Sequence, residues 1–216
     1  MAASTSPAPG WALCVITART PRYDHLDLVR AAIAGGAPLV QLRVKDGTDA
    51  AVRPLAEAAR ALTHAAGVRL IINDRLDLAL AVGAEGVHLG PDDEPWDAAR
   101  RRAPSLCIGA SVSNVAETSQ ALAAGVHYLG AGPVFATATK SDAGAAIGLA
   151  ALRAICAMAS VPVLAIGGIT AANARAAIEA GAAGVAVVTG VSEAADPVAA
   201  VRALLRAAAA PSEETR

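Results

Sequence analysis

Short runs of Val, Ile and Leu recur along the chain, beginning near Ala12, Leu39, Arg69, Gly86, Cys107, His127, Pro162 and Val185. They are continuous and not alternating, the pattern of strands covered on both faces. Ala-rich segments with helical spacing separate them. At four joints, "AGGAPLVQLR", "AVGAEGVHLG", "AAGVHYLGAG" and "EAGAAGVAVV", an Ala-rich helix stops at glycine and an apolar strand follows at once. Glycine suits the left-handed residue that ends a helix. Eight such βα units in about 200 residues are the arithmetic of an α/β chain folded as a single (β/α)8 TIM barrel near its minimum size. The pattern predicts that barrel over residues 11–208, with a flexible lead over 1–10 and a flexible tail over 209–216. A doubly wound open sheet fits the same alternation, although the G-x-G-x-x-G of a dinucleotide site is missing after the first strand.

Composition narrows the partners. Hydrophobic residues make up 55% of the chain and aromatics only 2%, so the core is expected to be aliphatic and closely packed. Net charge is −1, from 18 basic and 19 acidic residues, and the one basic cluster, "ARRRA" around Arg100–Arg102, has no interleaved aromatics. It reads as a solvated helix face, which argues against nucleic acid as a partner. Cys14, Cys107 and Cys156 are an odd number without CxxC spacing, which suggests neither a disulfide framework nor a zinc site and fits the cytoplasm. The opening "MAASTSPAPG" has no basic n-region or apolar h-region. No apolar run approaches about 18 residues, so no membrane span is expected.

The chemistry collects after the strands, on the face where such folds bind ligands. In "VQLRVKD" alternation puts Gln41, Arg43 and Lys45 on one side of strand two. Two inward cations in so small a barrel call for an anion, and a phosphate-bearing ligand supplies one; pairing with Asp46 and Asp49 at the rim is the other reading. Strand three ends with Asn73 and Asp74, and strand four is followed by Asp92 and Asp93. Carboxylates from neighbouring strand ends beside anion-binding cations match a hard Mg²⁺ site, with Asp74 and Asp93 as the pair; as helix N-caps the same aspartates would have a purely local role. His88 reads as a satisfied core or rim histidine, since no second His or Cys sits at metal spacing. Ser111 is a hydroxyl donor after strand five, with Ser113 and Asn114 as caps of the next helix. After strand six, "GPVFATATK" offers the hydroxyls of Thr137 and Thr139 and the mobile charge of Lys140. The last two strand ends, "LAIGGIT" and "VAVVTG", suit a phosphate site built from backbone N–H groups, through Gly167, Gly168, Val188, Thr189 and Gly190.

Taken in order, "VQLRVKD", "LIINDRLDLALAVGAEGVHLGPDD", "IGASVS", "YLGAGPVFATATK", "VPVLAIGGIT" and "GVAVVTGV" resemble the thiamine-phosphate synthase family over nearly the whole barrel. The resemblance implies that a hydroxymethylpyrimidine diphosphate is joined to a thiazole phosphate, giving thiamine phosphate and pyrophosphate with the aid of Mg²⁺. It assigns Gln41, Arg43, Lys45 and Asn73 to the pyrimidine diphosphate, Asp74 and Asp93 to the metal, and Ser111 and Lys140 to the pyrophosphate. Thr137, Thr139, Gly168, Val188 and Thr189 would receive the thiazole and its phosphate. Arg43, Lys45 and Lys140 would be the catalytic charges. The expected partners are thus phosphorylated small molecules, with a homo-oligomer left open. The chain departs from the family pattern at Pro91 (commonly Gln), at Ser113-Asn114 (His-Thr), at Ala138 (Pro) and at Thr189 (Ser). Two rival readings share the fold. A thiazole tautomerase would need a histidine where Ser113 stands and no pyrophosphate apparatus, and a non-catalytic phospho-ligand sensor would not need the Asp74–Asp93 pair.

Overall fold

The computed structural model describes residues 10–137 and 145–209. Its strands are β1 (Leu13–Ile16), β2 (Leu39–Leu42), β3 (Arg69–Asn73), β4 (Gly86–Leu89), β5 (Cys107–Val112), β6 (Tyr128–Ala131), β7 (Val163–Ile166) and β8 (Gly184–Val187). All eight are parallel and pair in chain order, and β8 pairs back onto β1 through Leu13↔Val185 and Val15↔Val187. The sheet is therefore closed, and the open doubly wound alternative falls.

The helices return along the outside: α1 (His25–Gly35), α2 (Asp49–Ala65), α3 (Leu76–Val82), α4 (Trp96–Arg102), α5 (Val115–Ala123), α6 (Gly148–Met158), α7 (Ala174–Glu179), a one-turn α8 (Thr189–Ser192) and α9 (Pro197–Ala209). Their starts follow from local chemistry. Asp24 and Asp27 form a reciprocal capping box on α1, Thr48 accepts from Ala51 N–H on α2, and Asn114 accepts from Glu117 N–H on α5, each satisfying donors that the first turn leaves without partners. The four glycine joints behave alike. Gly36, Gly83, Gly125 and Gly181 have φ of 91°, 65°, 77° and 104°, a region closed to most side chains.

Strand alternation sorts the residues into two layers. Outward-facing Val15, Val40, Leu70, Val87, Ile108, Leu129, Ala165 and Val185 meet the helices in the main core. Inward-facing Cys14, Ile16, Leu39, Ile71, Tyr128, Leu164 and Ala186 fill the barrel. Towards the C-terminal ends of the strands the inward series turns polar: Gln41 follows Leu39, Asn73 follows Ile71, and Ser111 follows Gly109. Gln41, Asn73 and His88 are all buried. The change from aliphatic to polar along single strands sets the floor of the site. Trp11 lies under it, 5.0 Å from the Tyr128 ring centroid. The expected flexible lead, apart from Gly10, and the expected tail, apart from Ala209, lie outside the described residues.

Candidate active site

A cavity of about 410 Å³ opens at the C-terminal face of the strands and is lined from β1, β2, β3, β4, β5, β6, β7 and β8 or the loops that follow them. Of the residues expected in the site, Gln41, Arg43, Lys45, Asn73, Asp74, Asp93, Ser111, Thr137, Gly168 and Val188 line it. Thr189 stands next to Val188 as the first residue of α8. Thr139, Lys140 and the departure at Ala138 lie outside the described residues.

One rim is charged. Lys45 Nζ donates to Asp74 Oδ2 at 3.0 Å, and the Asp74 and Asp93 carboxyls are neighbours. Burial holds the Asp93 carboxyl above its ordinary pKa; the Gly90 N–H, donating at 2.6 Å, opposes this, and the neighbouring Asp74 carboxylate adds to it. Asp74 has φ of 65° and is the only non-glycine residue with positive φ among those described. Asp tolerates that region better than most side chains do, but it is still sparsely populated, and such conformations collect at functional sites. Neither aspartate caps a helix. The residues that open α3 and α4 are Arg75 and Pro95, without a side-chain cap bond, so the helix-capping role considered for Asp74 and Asp93 is absent.

Pairing of Asp46 and Asp49 with Arg43 and Lys45 is not what forms either. Asp49 Oδ1 instead accepts from Arg75 Nη1 at 2.7 Å. The same guanidinium donates through Nη2 to the carbonyls of Gly47 at 2.9 Å and Val44 at 3.1 Å. Arg75 thus ties the turn after β3 to the loop that carries Lys45. Nothing in the spacing of "NDRLD" distinguished it from a surface arginine, because its partners are backbone carbonyls of another loop.

The opposite rim is built from backbone. Gly167 and Gly168 have φ of 93° and 64°, and Asn173 Nδ2 donates to the Gly168 carbonyl at 2.8 Å while its Oδ1 accepts from Thr170 N–H at 2.8 Å. A Cβ on Gly168 would stand 2.6 Å from the Ala136 carbonyl oxygen, so this turn packs against the loop that leads to Thr137. Between the rims, His88 is satisfied as expected, with Nδ1 2.9 Å from the Tyr128 hydroxyl and Nε2 2.9 Å from Ser111 Oγ. Asn114 caps α5, and Ser113 Oγ donates to the Glu117 carboxylate at 3.0 Å.

Residues 13–191 match the family model described as thiamine monophosphate synthase. The chain belongs to the thiamine-phosphate synthase family. It is 50% identical over 198 residues to the thiamine-phosphate synthase of Roseiflexus castenholzii, a match covering 90% of this chain and 87% of that one. It is 48% identical over 196 residues to that of Chloroflexus aurantiacus, covering 90% and 91%. Among solved structures, the thiamine phosphate pyrophosphorylase from Pyrococcus furiosus superposes with a TM-score of 0.87 at 40% identity, covering 92% of this chain and 96% of that one. The family is one of enzymes, and no helix among the described residues is long and apolar enough to cross a membrane.

Proposed function

We propose that this chain joins a hydroxymethylpyrimidine diphosphate to a thiazole phosphate, forming thiamine phosphate and pyrophosphate. The observation that carries the reading is the cluster of Lys45, Asp74 and Asp93 on one rim of a single cavity, in a chain of this family. The cavity does bring the Ser111 hydroxyl to 2.9 Å from His88 Nε2, but the reaction proposed needs no covalent nucleophile. An electron-rich aminopyrimidine stabilises a methylene cation, so the C–O bond breaks first and its electron pair leaves on pyrophosphate. The thiazole nitrogen then attacks with its lone pair to form the C–N bond. The protein's work is to hold charge growing on the leaving group, through Arg43, Lys45 and Lys140, and to keep the nitrogen in line while excluding water.

The rim suits a divalent cation of the Mg²⁺ kind. Its donors are all oxygen, two carboxylates stand together with the Asp93 pKa raised, and Mg²⁺ usually takes one or two carboxylates with the rest of its shell from phosphate and water. Asp74 and Asp93 would hold it, and when bound it would neutralise pyrophosphate oxygens. Gln41, Asn73 and Ser111 take the pyrimidine diphosphate. Thr137, Thr139, Gly168, Val188 and Thr189 take the thiazole end. The three cysteines are free, which fits the cytoplasmic location included in this reading. The test is turnover with both substrates and Mg²⁺, following pyrophosphate release. Wild type should turn over and stop in excess chelator, and Asp74→Asn or Asp93→Asn should raise the Mg²⁺ concentration needed by tenfold or more. Isomerisation of a thiazole carboxylate without pyrophosphate release would give the site to a tautomerase, and binding without turnover would give it to a sensor.

A further inference from the structure

Beneath the charged rim the barrel holds a line of polar groups whose two ends, Gln41 and Ser111, belong to the pyrimidine diphosphate site and whose two middle members have no task in the coupling reaction. Tyr128 on β6 is 2% exposed and His88 on β4 is 9% exposed. Their bonds join Tyr128 Oη to His88 Nδ1 and His88 Nε2 to Ser111 Oγ, each at 2.9 Å. On the other side of Tyr128 the side-chain amide of Gln41 adjoins the phenol, and both border the cavity. Burial drives the phenol well above its ordinary pKa, so it carries its single proton. Gln41, Tyr128, His88 and Ser111 all border the same cavity. A buried tyrosine and histidine are dearer to desolvate than apolar residues of equal volume, so a line of them reaching the cavity at both ends calls for a use.

A neutral imidazole donates from one nitrogen and accepts at the other, and a phenol has one proton to give. The line can therefore be polarised in only two senses. In the first, Gln41 N–H donates to Tyr128, Tyr128 O–H to His88 Nδ1, and His88 Nε2–H to Ser111, which keeps its own O–H for the cavity. In the second every bond is reversed: Ser111 spends its proton on His88, and Gln41 gives its carbonyl to Tyr128 and turns its NH₂ to the cavity. A pyrophosphate oxygen only accepts, so it selects the first sense. That sense leaves the Gln41 carbonyl oxygen open to an amine.

We propose that Tyr128 and His88 are positioning residues that couple the two halves of the pyrimidine diphosphate site. Phosphate on Ser111 fixes the imidazole tautomer, the tautomer fixes the amide of Gln41, and the amide selects an exocyclic amino group over an oxo group. This rests on the coupling reaction proposed above and goes beyond it, because it gives the specificity to two residues that touch neither the leaving group nor the thiazole.

Calorimetry on the intact protein tests it, with Mg²⁺-pyrophosphate and the unphosphorylated hydroxymethyl aminopyrimidine as probes. Each is titrated alone and in the presence of the other. In wild type each should tighten the other by the same factor, about fivefold or more, as linkage requires. In Tyr128→Phe the factor should fall below about twofold and the preference for the amino over the oxo pyrimidine should narrow, while Mg²⁺-pyrophosphate alone binds within about threefold of wild type. Ser111→Ala, at the mouth of the line, should lose the coupling in the same way and serves if the phenylalanine variant misfolds. Coupling retained in both variants overturns the proposal. So does binding of both probes to wild type without coupling, which leaves the synthase reading standing, whereas failure of wild type to bind either probe removes that reading and the proposal together.

Discussion

Tyr128 fits inside the barrel because residue 109 is glycine: a Cβ there would stand 2.1 Å from Tyr128 Cζ and 2.5 Å from its hydroxyl oxygen. The neighbouring Gly130 leaves room for His88 in the same way, with a Cβ reaching 3.0 Å from its Cε1. Interiors packed to crystal density have nowhere to put such an atom, and overpacking typically costs 1–3 kcal/mol. Gly109→Ala is expected to lose about 2 kcal/mol, since the ring could make room only by moving towards the cavity and giving up its packing against Trp11 and its bond to His88. Urea denaturation checks this, with a lower midpoint and an unchanged slope expected. Combining it with Tyr128→Leu should recover most of the loss, because the clash is with the far ring atoms that leucine lacks. A single mutant as stable as wild type would mean that the ring has room to move, and the rigid hydrogen-bonded line built on it would lose its footing.

Among elements, the loop between β2 and α2 depends on a residue outside it. Arg75 spans from the start of α3 to Asp49 and to the carbonyls of Val44 and Gly47, and so holds Lys45 where it meets Asp74. Arg75→Ala should leave the barrel folded and raise KM for the pyrimidine diphosphate about tenfold, with little change for the thiazole phosphate. Arg75→Lys should rescue little, because an ammonium cannot span a carboxylate and two carbonyls as a planar fork does. Substantial rescue by lysine, in steady-state kinetics with each substrate varied, would show that charge and not the clamp is what matters. The contrast between Arg75 and its neighbours marks what the chain makes legible. Continuous aliphatic runs located all eight strands to within a residue of where they begin, since burial on both faces leaves a strong pattern. Strand ends gave the cavity residues because alternation and position after a strand are local facts. Arg75, and the line from Gln41 to Ser111, depend on partners contributed by different strands and loops, so no spacing reveals them. His88 could be read as satisfied, but not by what, and the one-turn α8 is too short for a periodic signal.

Across the whole molecule the cavity has two chemically different sides. Loops after β2, β3 and β4 bring side-chain charge to it, whereas the turns after β7 and β8 bring the backbone of Gly167, Gly168 and Val188, next to which Thr189 opens α8. Damage on each side should therefore be selective for one substrate. Gly168 is a poor place to show it. A Cβ there would meet the Ala136 carbonyl oxygen at 2.6 Å and Phe135 Cβ at 2.8 Å, and its φ of 64° disfavours a side chain, so Gly168→Val would displace the loop after β6 and harm both sides at once. Thr189→Val keeps the shape and removes only the hydroxyl. It is expected to raise KM for the thiazole phosphate by roughly five- to tenfold, the scale of one lost hydrogen bond to a charged group, with kcat nearly unchanged, because a phosphate remote from the reacting nitrogen is bound equally in ground and transition states. Arg43→Ala removes charge that is needed most as pyrophosphate departs, so it should lower kcat by about a hundredfold and leave KM for the thiazole phosphate within about twofold. Kinetics with each substrate varied in turn decide the matter: two variants that impaired both substrates alike would mean that the cavity works as one undivided site, and the division of labour between charged rim and backbone rim would be wrong.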